Sequence, residues 1–347
     1  MNPTLCVIIL NYRTPALTLD CLRSLAACRH EIATLHVILI DNGSADDSPA
    51  QLTAAINQNA WSDWITFLPL ADNRGFAGGN NAALDLAQSR FPDTPYLLLL
   101  NSDTIVHPGT LRYCHDLMQR TPAIGVMSCQ LQGPDGVIQN TTRAFPTPLK
   151  QALCSFGLPW LWKRAFAWAD IYNVPDALLR TARSADWLCG AFLFTRATAL
   201  AKIGGHLDDS FFFYGEDIEF CHRMHRANFT VYYDPAVAIT HIGGSSSDPT
   251  RVDSKLIDAY TWHARYQIQR ICYGHLASAF IRTCDILSLT LKKTRLFLTG
   301  QRHAPRYQTT STALSILLKP IRLNQKTPTK TTPIPARQAT MGGPVKL

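Results

Sequence analysis

The chain carries at residues 96–103 the stretch Tyr-Leu-Leu-Leu-Leu-Asn-Ser-Asp, which decides the fold that we predict. Its four leucines indicate a strand that is buried on both faces, as in a parallel sheet. Asn101, Ser102 and Asp103 end this strand with polar side chains. Open α/β sheets bind ligands at this end of their strands, and a hard cation bound there takes oxygen ligands and contacts substrate phosphates. The alternative is a simple turn, because Asn, Ser and Asp all favour turns.

Earlier apolar runs predict three more buried strands, each followed by a polar loop. These strands lie at residues 5–10, 35–40 and 64–68. The loops after them begin at Asn11, Asp41 and Asn73, and helical patterns separate the strands. Alternating strands and helices predict a doubly wound α/β sheet. Right-handed crossovers would bring the polar loops together at one sheet edge.

The composition is that of a soluble globular protein. The 347 residues are 46% hydrophobic and 17% charged, which allows one large core or two modest ones. The ten cysteines include no CxxC pair, which excludes zinc-ribbon and thioredoxin-like classes and leads us to expect a reducing cytoplasm. The first ten residues lack the basic region of a signal peptide, so we interpret them as the first strand.

Basic residues are concentrated at the carboxyl end. The net charge is +8, yet eleven basic residues and no acidic ones follow Asp285, which leaves the rest of the chain at −3. We predict a basic, disordered tail at residues 301–347 that contacts an anionic membrane surface, the alternative being a solvated terminus. No RRM, KH or helix-turn-helix signature occurs, so we expect no nucleic-acid partner.

The second half of the chain is less regular. Residues 145–180 are rich in Trp, Phe, Pro and Leu, and they form either an acceptor-facing lid or an irregular segment packed on the core. A further buried strand is predicted at 187–195 and a helical region at 256–299. One face of that region carries Leu276, Phe280, Cys284, Leu287 and Leu291. Arg282 and Asp285 interrupt its most apolar window, so we expect no membrane-spanning helix.

Seven short motifs occur in an order that resembles the family 2 glycosyltransferases with a GT-A fold. They are Val-Ile-Ile-Leu-Asn-Tyr at 7–12, Ile-Asp-Asn-Gly-Ser at 40–44, Asn-Arg-Gly-Phe-Ala-Gly-Gly-Asn-Asn at 73–81, Leu-Leu-Asn-Ser-Asp at 99–103, Gly-Ala-Phe-Leu-Phe at 190–194, Tyr-Gly-Glu-Asp-Ile-Glu-Phe at 214–220 and His-Ile-Gly-Gly-Ser at 241–245. The branch resembled is the bacterial rhamnosyltransferase-like one. The resemblance implies a GT-A domain at 1–250 and a helical extension at 251–300.

The resemblance implies a nucleotide-sugar site along the polar loops. Its predicted residues are Asn11, Tyr12, Asp41, Asn73, Arg74, Gly79, Asn80 and Ser102. Asp41 would accept a hydrogen bond from the donor nucleobase, or else form a turn before Gly43. The segment 73–80 would present backbone N–H groups ahead of a helix, although its glycines are also explained by close packing. It is not a P-loop, because no Gly-Lys-Ser/Thr follows.

The same resemblance implies a divalent cation, Mg²⁺ or Mn²⁺, that bridges the donor diphosphate. Asp103 is the predicted ligand, and Asn101 replaces the first aspartate of the family's Asp-x-Asp motif. His241 is the predicted second ligand, although a lone histidine is often structural.

Acidic residues at 216–219 imply the catalytic base. Asp217 would take the proton of the acceptor hydroxyl, and Glu216 would bind the acceptor or share that task. Neighbouring carboxylates raise one another's pKa, which suits a base at neutral pH. The alternative is that acidic residues merely favour a helix N-terminus. Trp187 and Gly190 are the other predicted acceptor residues, with Trp187 stacking on the sugar or lying in the core.

We therefore predict an inverting, metal-dependent glycosyltransferase at the cytoplasmic face of the inner membrane. It would transfer a sugar, with dTDP-rhamnose as the first candidate donor, to a hydroxyl of a lipid-linked or cell-surface polysaccharide such as lipopolysaccharide. One alternative is a nucleotidyltransferase acting on a sugar phosphate, although residues 10–13 lack the basic glycine-rich loop that such enzymes use. The other is a nucleic-acid-binding protein that uses the basic tail.

Overall fold

The computed structural model describes residues 2–243 and 254–318, without the side chains of 254–257. Its strands are β1 Leu5–Asn11, β2 Leu35–Asp41, β3 Ile65–Pro69, β4 Tyr96–Asn101, β5 Thr104–Val106, β6 Ile124–Gln132, β7 Thr142–Arg143, β8 Arg183–Ser184, β9 Trp187–Leu188, β10 Phe192–Arg196 and β11 Thr230–His241. Its helices are α1 Pro15–Cys28, α2 Ser48–Gln58, α3 Gly75–Arg90, α4 Thr110–Arg120, α5 Pro148–Ser155, α6 Leu158–Leu161, α7 Lys163–Phe166, α8 Asp176–Leu179, α9 Ala197–Lys202, α10 Glu216–Arg226, α11 Ser254–Tyr273, α12 His275–Leu298 and α13 Pro305–Leu317.

Within the described ranges, one nine-stranded sheet organises the chain. Its order is β3-β2-β1-β4-β10-β6-β11-β5, with β8 added beside β11. The first four strands are parallel, whereas β10 runs antiparallel between β4 and β6. In register, Asn11 lies opposite Asp41 and Leu10 lies opposite Asn101. The polar strand ends therefore meet at one edge of the sheet, as predicted.

The leucine strand β4 is covered on both faces. Leu98 and Leu100 pack into the apolar cluster on the α1 and α4 side, while Leu97 and Leu99 pack into the cluster on the α3 side. All four side chains are buried. Alternate residues of a strand point to opposite faces, so an unbroken apolar run is what a doubly covered sheet requires. The predicted mixed α/β architecture is confirmed.

Several element bounds differ from the predictions. The strand predicted at 187–195 is two strands, β9 and β10, separated by residues 189–191. Residues 145–180 are not irregular: they contain the short helices α5 to α8, and Ala152 of α5 packs with residues of α11, α12 and α13. The glycine-rich segment predicted as a loop over 73–81 is helical from Gly75.

The carboxyl-terminal region also differs. The helical region predicted at 256–299 is divided at Gly274 into α11 and α12. Helix α13 lies inside the segment predicted as a disordered tail, and residues 319–347 of that tail are outside the described ranges. Among the described helices, none combines the length and apolar character needed to cross a bilayer. The division into domains at 250 and 300 stays a prediction.

Candidate active site

The two predicted metal ligands lie side by side. Asp103 follows β4, and antiparallel pairing of β11 with β5 brings His241 opposite Thr104. The backbone N–H of Ile242 donates to the Asp103 carbonyl at 3.0 Å. His241 Nε2 is then 3.5 Å from Asp103 Oδ1, with both side chains mostly buried. One ion contacting each donor atom at roughly 2.0–2.2 Å fits between atoms at this separation.

Gln139 holds the imidazole of His241 in place. Its Nε2 donates to the His241 carbonyl at 2.7 Å, which leaves its Oε1 to accept from His241 Nδ1, also at 2.7 Å. This network assigns the Nδ1–H tautomer, since Oε1 has no hydrogen to give. The Nε2 atom, which faces Asp103, is thereby the one available to a cation. Residues that orient a ligating histidine in this way tune metal affinity. The sequence reasoning missed Gln139.

The predicted catalytic carboxylates begin α10. Glu216 is buried, and its Oε2 has no hydrogen-bond partner among the described residues. Burial, with the adjacent Asp217 charge, raises the pKa of Glu216 to about 8. Asp217 is half-buried, and burial raises its pKa as well, although backbone N–H donors oppose the shift. Glu219 instead accepts twice from Arg223, at 2.7 and 2.9 Å, and so has a structural role.

Backbone hydrogen bonds join the carboxylate pair to the metal-ligand side. The Asn101 N–H donates to the Ala191 carbonyl at 3.0 Å, and the neighbouring Gly190 N–H donates to Asp217 Oδ2 at 3.3 Å. The charges of Asp217 and Asp103 both act on the Cys189 thiol, whose pKa burial raises to about 11. The structure thus brings Asp103, His241, Gly190 and Asp217 to one edge of the sheet.

Asp41 ends β2 opposite Asn11 and is almost completely buried. Its carboxylate accepts from Asn11 Nδ2 at 2.7 Å, from Ser44 Oγ at 2.6 Å and from the Ser44 N–H at 3.0 Å. These bonds form the turn that the sequence offered as the alternative. A nucleobase contact by Asp41 stays a prediction, and it would use acceptor capacity that these three hydrogen bonds leave on the carboxylate.

The start of α3 is used for packing. The Phe76 N–H donates to the Phe212 carbonyl at 2.9 Å, and Asn80 Nδ2 donates back to the Phe76 carbonyl at 2.8 Å. A Cβ placed on Gly79 would lie 2.4 Å from Leu10 Cδ1 and 3.1 Å from Asn42 Cγ. Gly79 therefore permits close approach of α3 to β1. In the segment 73–80, predicted to present backbone N–H groups to a nucleotide, the residues from Gly75 onward form the first turns of α3; nucleotide binding there stays a prediction.

An open cleft of about 1110 Å³ lies beside β3 and α3. The predicted donor residues Tyr12, Asn73 and Arg74 line it. Asn73 Oδ1 accepts from Asn42 and from the Gly75 N–H, which fixes the loop that carries Arg74. The cleft is large enough to hold a small molecule. The metal pair and Asp217 are not among its lining residues.

Trp187 is buried and its Nε1 donates to the Ala144 carbonyl at 3.0 Å. The Arg143 guanidinium lies over its ring, 5.4 Å from the centroid. Stacking of Trp187 on an acceptor sugar stays a prediction that this buried position does not favour. The buried Nε of Arg143 has no hydrogen-bond partner in the part of the chain that the structure describes, and the charge of Arg143 lowers the pKa of Asp217. Ser102 is buried at the turn after β4.

Comparison with known families decides the classification. Residues 96–320 match the sequence model described as glycosyl transferase family group 2. The chain is a family 2 glycosyltransferase. Residues 6–164 also match the description glycosyl transferase family 2. The family prediction made from the seven motifs is confirmed.

Curated relatives of this glycosyltransferase include two rhamnosyltransferases. One is the N-acetylglucosaminyl-diphospho-decaprenol L-rhamnosyltransferase of Mycobacterium tuberculosis, 26% identical over 59% of this chain and 66% of the relative. The other is rhamnosyltransferase WbbL of Escherichia coli, 25% identical over 55% of this chain and 67% of the relative. The chain thus spans somewhat less than two thirds of the mycobacterial relative's length.

Among solved structures, the mannosyltransferase PcManGT from Pyrobaculum calidifontis, in complex with GDP-Man and Mn²⁺, is similar in fold. The likeness covers 92% of this chain and 86% of that one, with a TM-score of 0.52 and 16% identity. This similarity confirms the predicted GT-A fold.

Two residues near the candidate site, Gln139 and Arg143, were not predicted from the sequence. Gln139 and Arg143 lie between Asp103 and Trp187, a stretch from which no site residue was predicted. Both act through partners more than forty residues away, namely His241 and Trp187. Among the described residues, no group of three or more His, Cys, Asp or Glu side chains forms a metal cluster.

Proposed function

We propose that this family 2 glycosyltransferase transfers a sugar, with inversion, from a nucleoside-diphosphate donor to an acceptor hydroxyl. The observation that carries the proposal is the approach of Asp103 and His241 at the sheet edge that also holds Asp217. A cation ligand pair beside a raised-pKa carboxylate suits displacement of a diphosphate by a hydroxyl.

Asp103 and His241 would hold Mg²⁺ or Mn²⁺. A bound ion would neutralise charge on the diphosphate leaving group. The mixed carboxylate and imidazole donors leave most coordination positions to donor oxygens and water, as is usual for Mg²⁺ and Mn²⁺ bound with phosphates. Asn101 does not add a second carboxylate, so binding would depend strongly on His241.

Asp217 would accept the proton of the acceptor hydroxyl. The Gly190 N–H and the Ile218 N–H, which donate to separate oxygens of this carboxylate, fix its plane. The raised pKa of Asp217 makes it a stronger base than an exposed aspartate. Glu216, with its pKa near 8, would be largely protonated at neutral pH and could donate a hydrogen bond to the acceptor.

The cleft beside Tyr12, Asn73 and Arg74 would take the nucleoside part of the donor. dTDP-rhamnose is our first candidate, because two relatives are named rhamnosyltransferases. The acceptor would be lipid-linked, since the name of one relative contains diphospho-decaprenol. We place this reaction at the cytoplasmic face of the inner membrane, as part of cell-envelope polysaccharide assembly.

The test is incubation of the full chain with a panel of nucleotide sugars, Mn²⁺ and a short-chain polyprenyl-diphosphate N-acetylglucosamine. We expect nucleoside diphosphate release that depends on the acceptor and a product with inverted anomeric configuration by NMR. Asp103→Asn should abolish release, whereas Asp176→Asn, at an exposed aspartate paired with Arg180, should not. In a parallel incubation with a nucleoside triphosphate and a sugar 1-phosphate, release of pyrophosphate would identify nucleotidyl transfer and refute the proposal.

A further inference from the structure

Helix α12 exposes an apolar stripe. Its members are Leu276, Phe280, Leu287, Leu291 and Leu298, all of them exposed, and Leu276 reaches 88% exposure. At 100° per residue they lie within about 60° of one another around the helix axis. The sequence placed Cys284 on the same face, but it is buried with Ile281 against the other helices. The stripe is therefore not the face that packs on the protein.

A second exposed apolar group lies on α6, α7 and the turn after them. It consists of Trp160, Leu161, Trp162 and Trp168, whose exposures range from 43% to 72%. Solvent-exposed tryptophans at this density are unusual in a monomeric surface and mark a site of interaction. Tryptophan favours the membrane–water interface, where its ring is apolar and its N–H remains hydrated. We call this group and the α12 stripe together the apolar surface.

Both parts of the apolar surface belong to one packed unit. Ala152 of α5 packs with Tyr266 of α11 and with Ile281 of α12. The buried guanidinium of Arg265 joins the unit, because it donates to Asp285 at 2.6 and 2.8 Å and to Ser155 Oγ at 2.8 Å. The relative positions of the two exposed groups are thus set by a buried ion pair and an apolar cluster.

The two segments that carry the apolar surface are rich in basic residues and poor in acidic ones. Residues 136–169 contain no Asp or Glu, and residues 275–318 contain only Asp285, which is buried against Arg265. The exposed basic residues on these segments include Lys163, Arg164, Lys292, Arg295, Arg302 and Arg306. Exposed Trp, Phe and Leu flanked by Lys and Arg are the composition of helices that lie in an anionic membrane interface.

We propose that the apolar surface docks on an anionic lipid bilayer, with its tryptophans and leucines among the lipid headgroups and its basic residues against lipid phosphates. The proposal rests on the function proposed above, because a lipid-linked acceptor is presented by such a bilayer. It differs from the predicted tail contact: the described helices bind through apolar area as well as charge. Helix α12, at 24 residues, extends about 36 Å and lies along the interface.

The test is co-sedimentation of the full chain with vesicles of phosphatidylcholine alone and of phosphatidylcholine mixed with phosphatidylglycerol. Two separate variants remove apolar area, W160S/L161S/W162S and L287S/L291S. Each should lower the partition coefficient on mixed vesicles by about tenfold or more, from the apolar area removed. V137S is the matched control, since Val137 is an exposed apolar residue outside the surface, and it should bind as wild type does.

Far-UV circular dichroism and turnover with a water-soluble acceptor, both unchanged, would show that the variants fold and that the loss is one of membrane binding. Wild-type protein that stays in the supernatant, or variants that bind like wild type, would overturn the proposal. A wild-type dimer that the variants dissociate without loss of vesicle binding would identify a second copy as the occupant, and also overturn it. Absence of donor turnover would refute the proposed function. The vesicle result would still decide whether the apolar surface docks on a bilayer.

Discussion

Replacement of Gln139 by Leu should weaken cation binding although both predicted metal ligands, Asp103 and His241, are retained. The substitution removes both 2.7 Å hydrogen bonds to His241, one to the ring and one to the carbonyl. The imidazole then loses its fixed orientation and its preferred tautomer. Loss of such a supporting partner lowers metal affinity by about 10- to 100-fold, which is about 1.4–2.8 kcal/mol. Loss of the same two hydrogen bonds should also lower the free energy of unfolding, by about 1 kcal/mol for each bond, and this effect is separate from the loss of metal affinity.

The assay is isothermal titration of Mn²⁺ into the full chain with nucleoside diphosphate present. Gln88→Leu is the matched control, because it also removes a hydrogen bond that a glutamine side-chain amide donates to a backbone carbonyl, here that of Gly205. His241→Ala sets the largest loss expected. Affinity in Gln139→Leu equal to wild type, with a clear loss in His241→Ala, would refute the orienting role. No loss in either variant would refute the metal site itself.

Three other expectations concern the carboxylate pair and the packing of α3. Asp217→Asn should lower kcat by about 10²–10⁴-fold in the donor-release assay, the usual contribution of a general base. Because burial raises the pKa of Glu216 from 4.5 to about 8, the folded chain binds that proton more tightly than the unfolded chain, so stability falls as pH rises across this window. Glu216→Gln should flatten the dependence of Tm on pH there, and an unchanged slope would contradict it. Gly79→Ala should cost about 1–3 kcal/mol in urea unfolding, because its Cβ meets Leu10 and Asn42.

Local pattern was sufficient to predict the four parallel strands β1 to β4 and the edge at which their polar ends meet. A run such as Leu97–Leu100 has few structural solutions, because both of its faces must be covered. Strand ends follow from the abrupt change to polar side chains, and parallel pairing then aligns those ends. The strand-end pattern pointed to Asp103, whereas His241 and Asp217 were named from their positions in the family motifs. Naming these residues required no knowledge of side-chain contacts, and their roles stay predictions.

Long-range packing explains what local pattern missed. The segment 73–81 is rich in Gly and Asn, which are poor helix formers, so it was predicted as a loop. It becomes helical because α3 packs against β1 at Gly79 and because the Phe212 carbonyl caps its first turn. Phe212 is far from this segment in sequence, so the helix propensities of residues 73–81 cannot indicate the hydrogen bond that it accepts. Gln139 was missed for the same reason, since only the fold brings it to His241.

The loop at 211–215 links the carboxylate pair to the carboxyl-terminal helices. Tyr214 and Gly215 both have positive φ, 67° and 97°, directly before Glu216. A non-glycine residue in this conformation is held there by its surroundings. Those surroundings come from α11, because Phe211 is buried against Ala264 and Ile268 and Phe212 stacks on Tyr260 with ring centroids 4.8 Å apart. Since Phe212 also caps α3, one loop fixes the start of α10 relative to the sheet. Helix α11 lies beyond the boundary predicted at residue 250, so the described part of the extension helps to position the candidate active site as well as carrying the apolar surface.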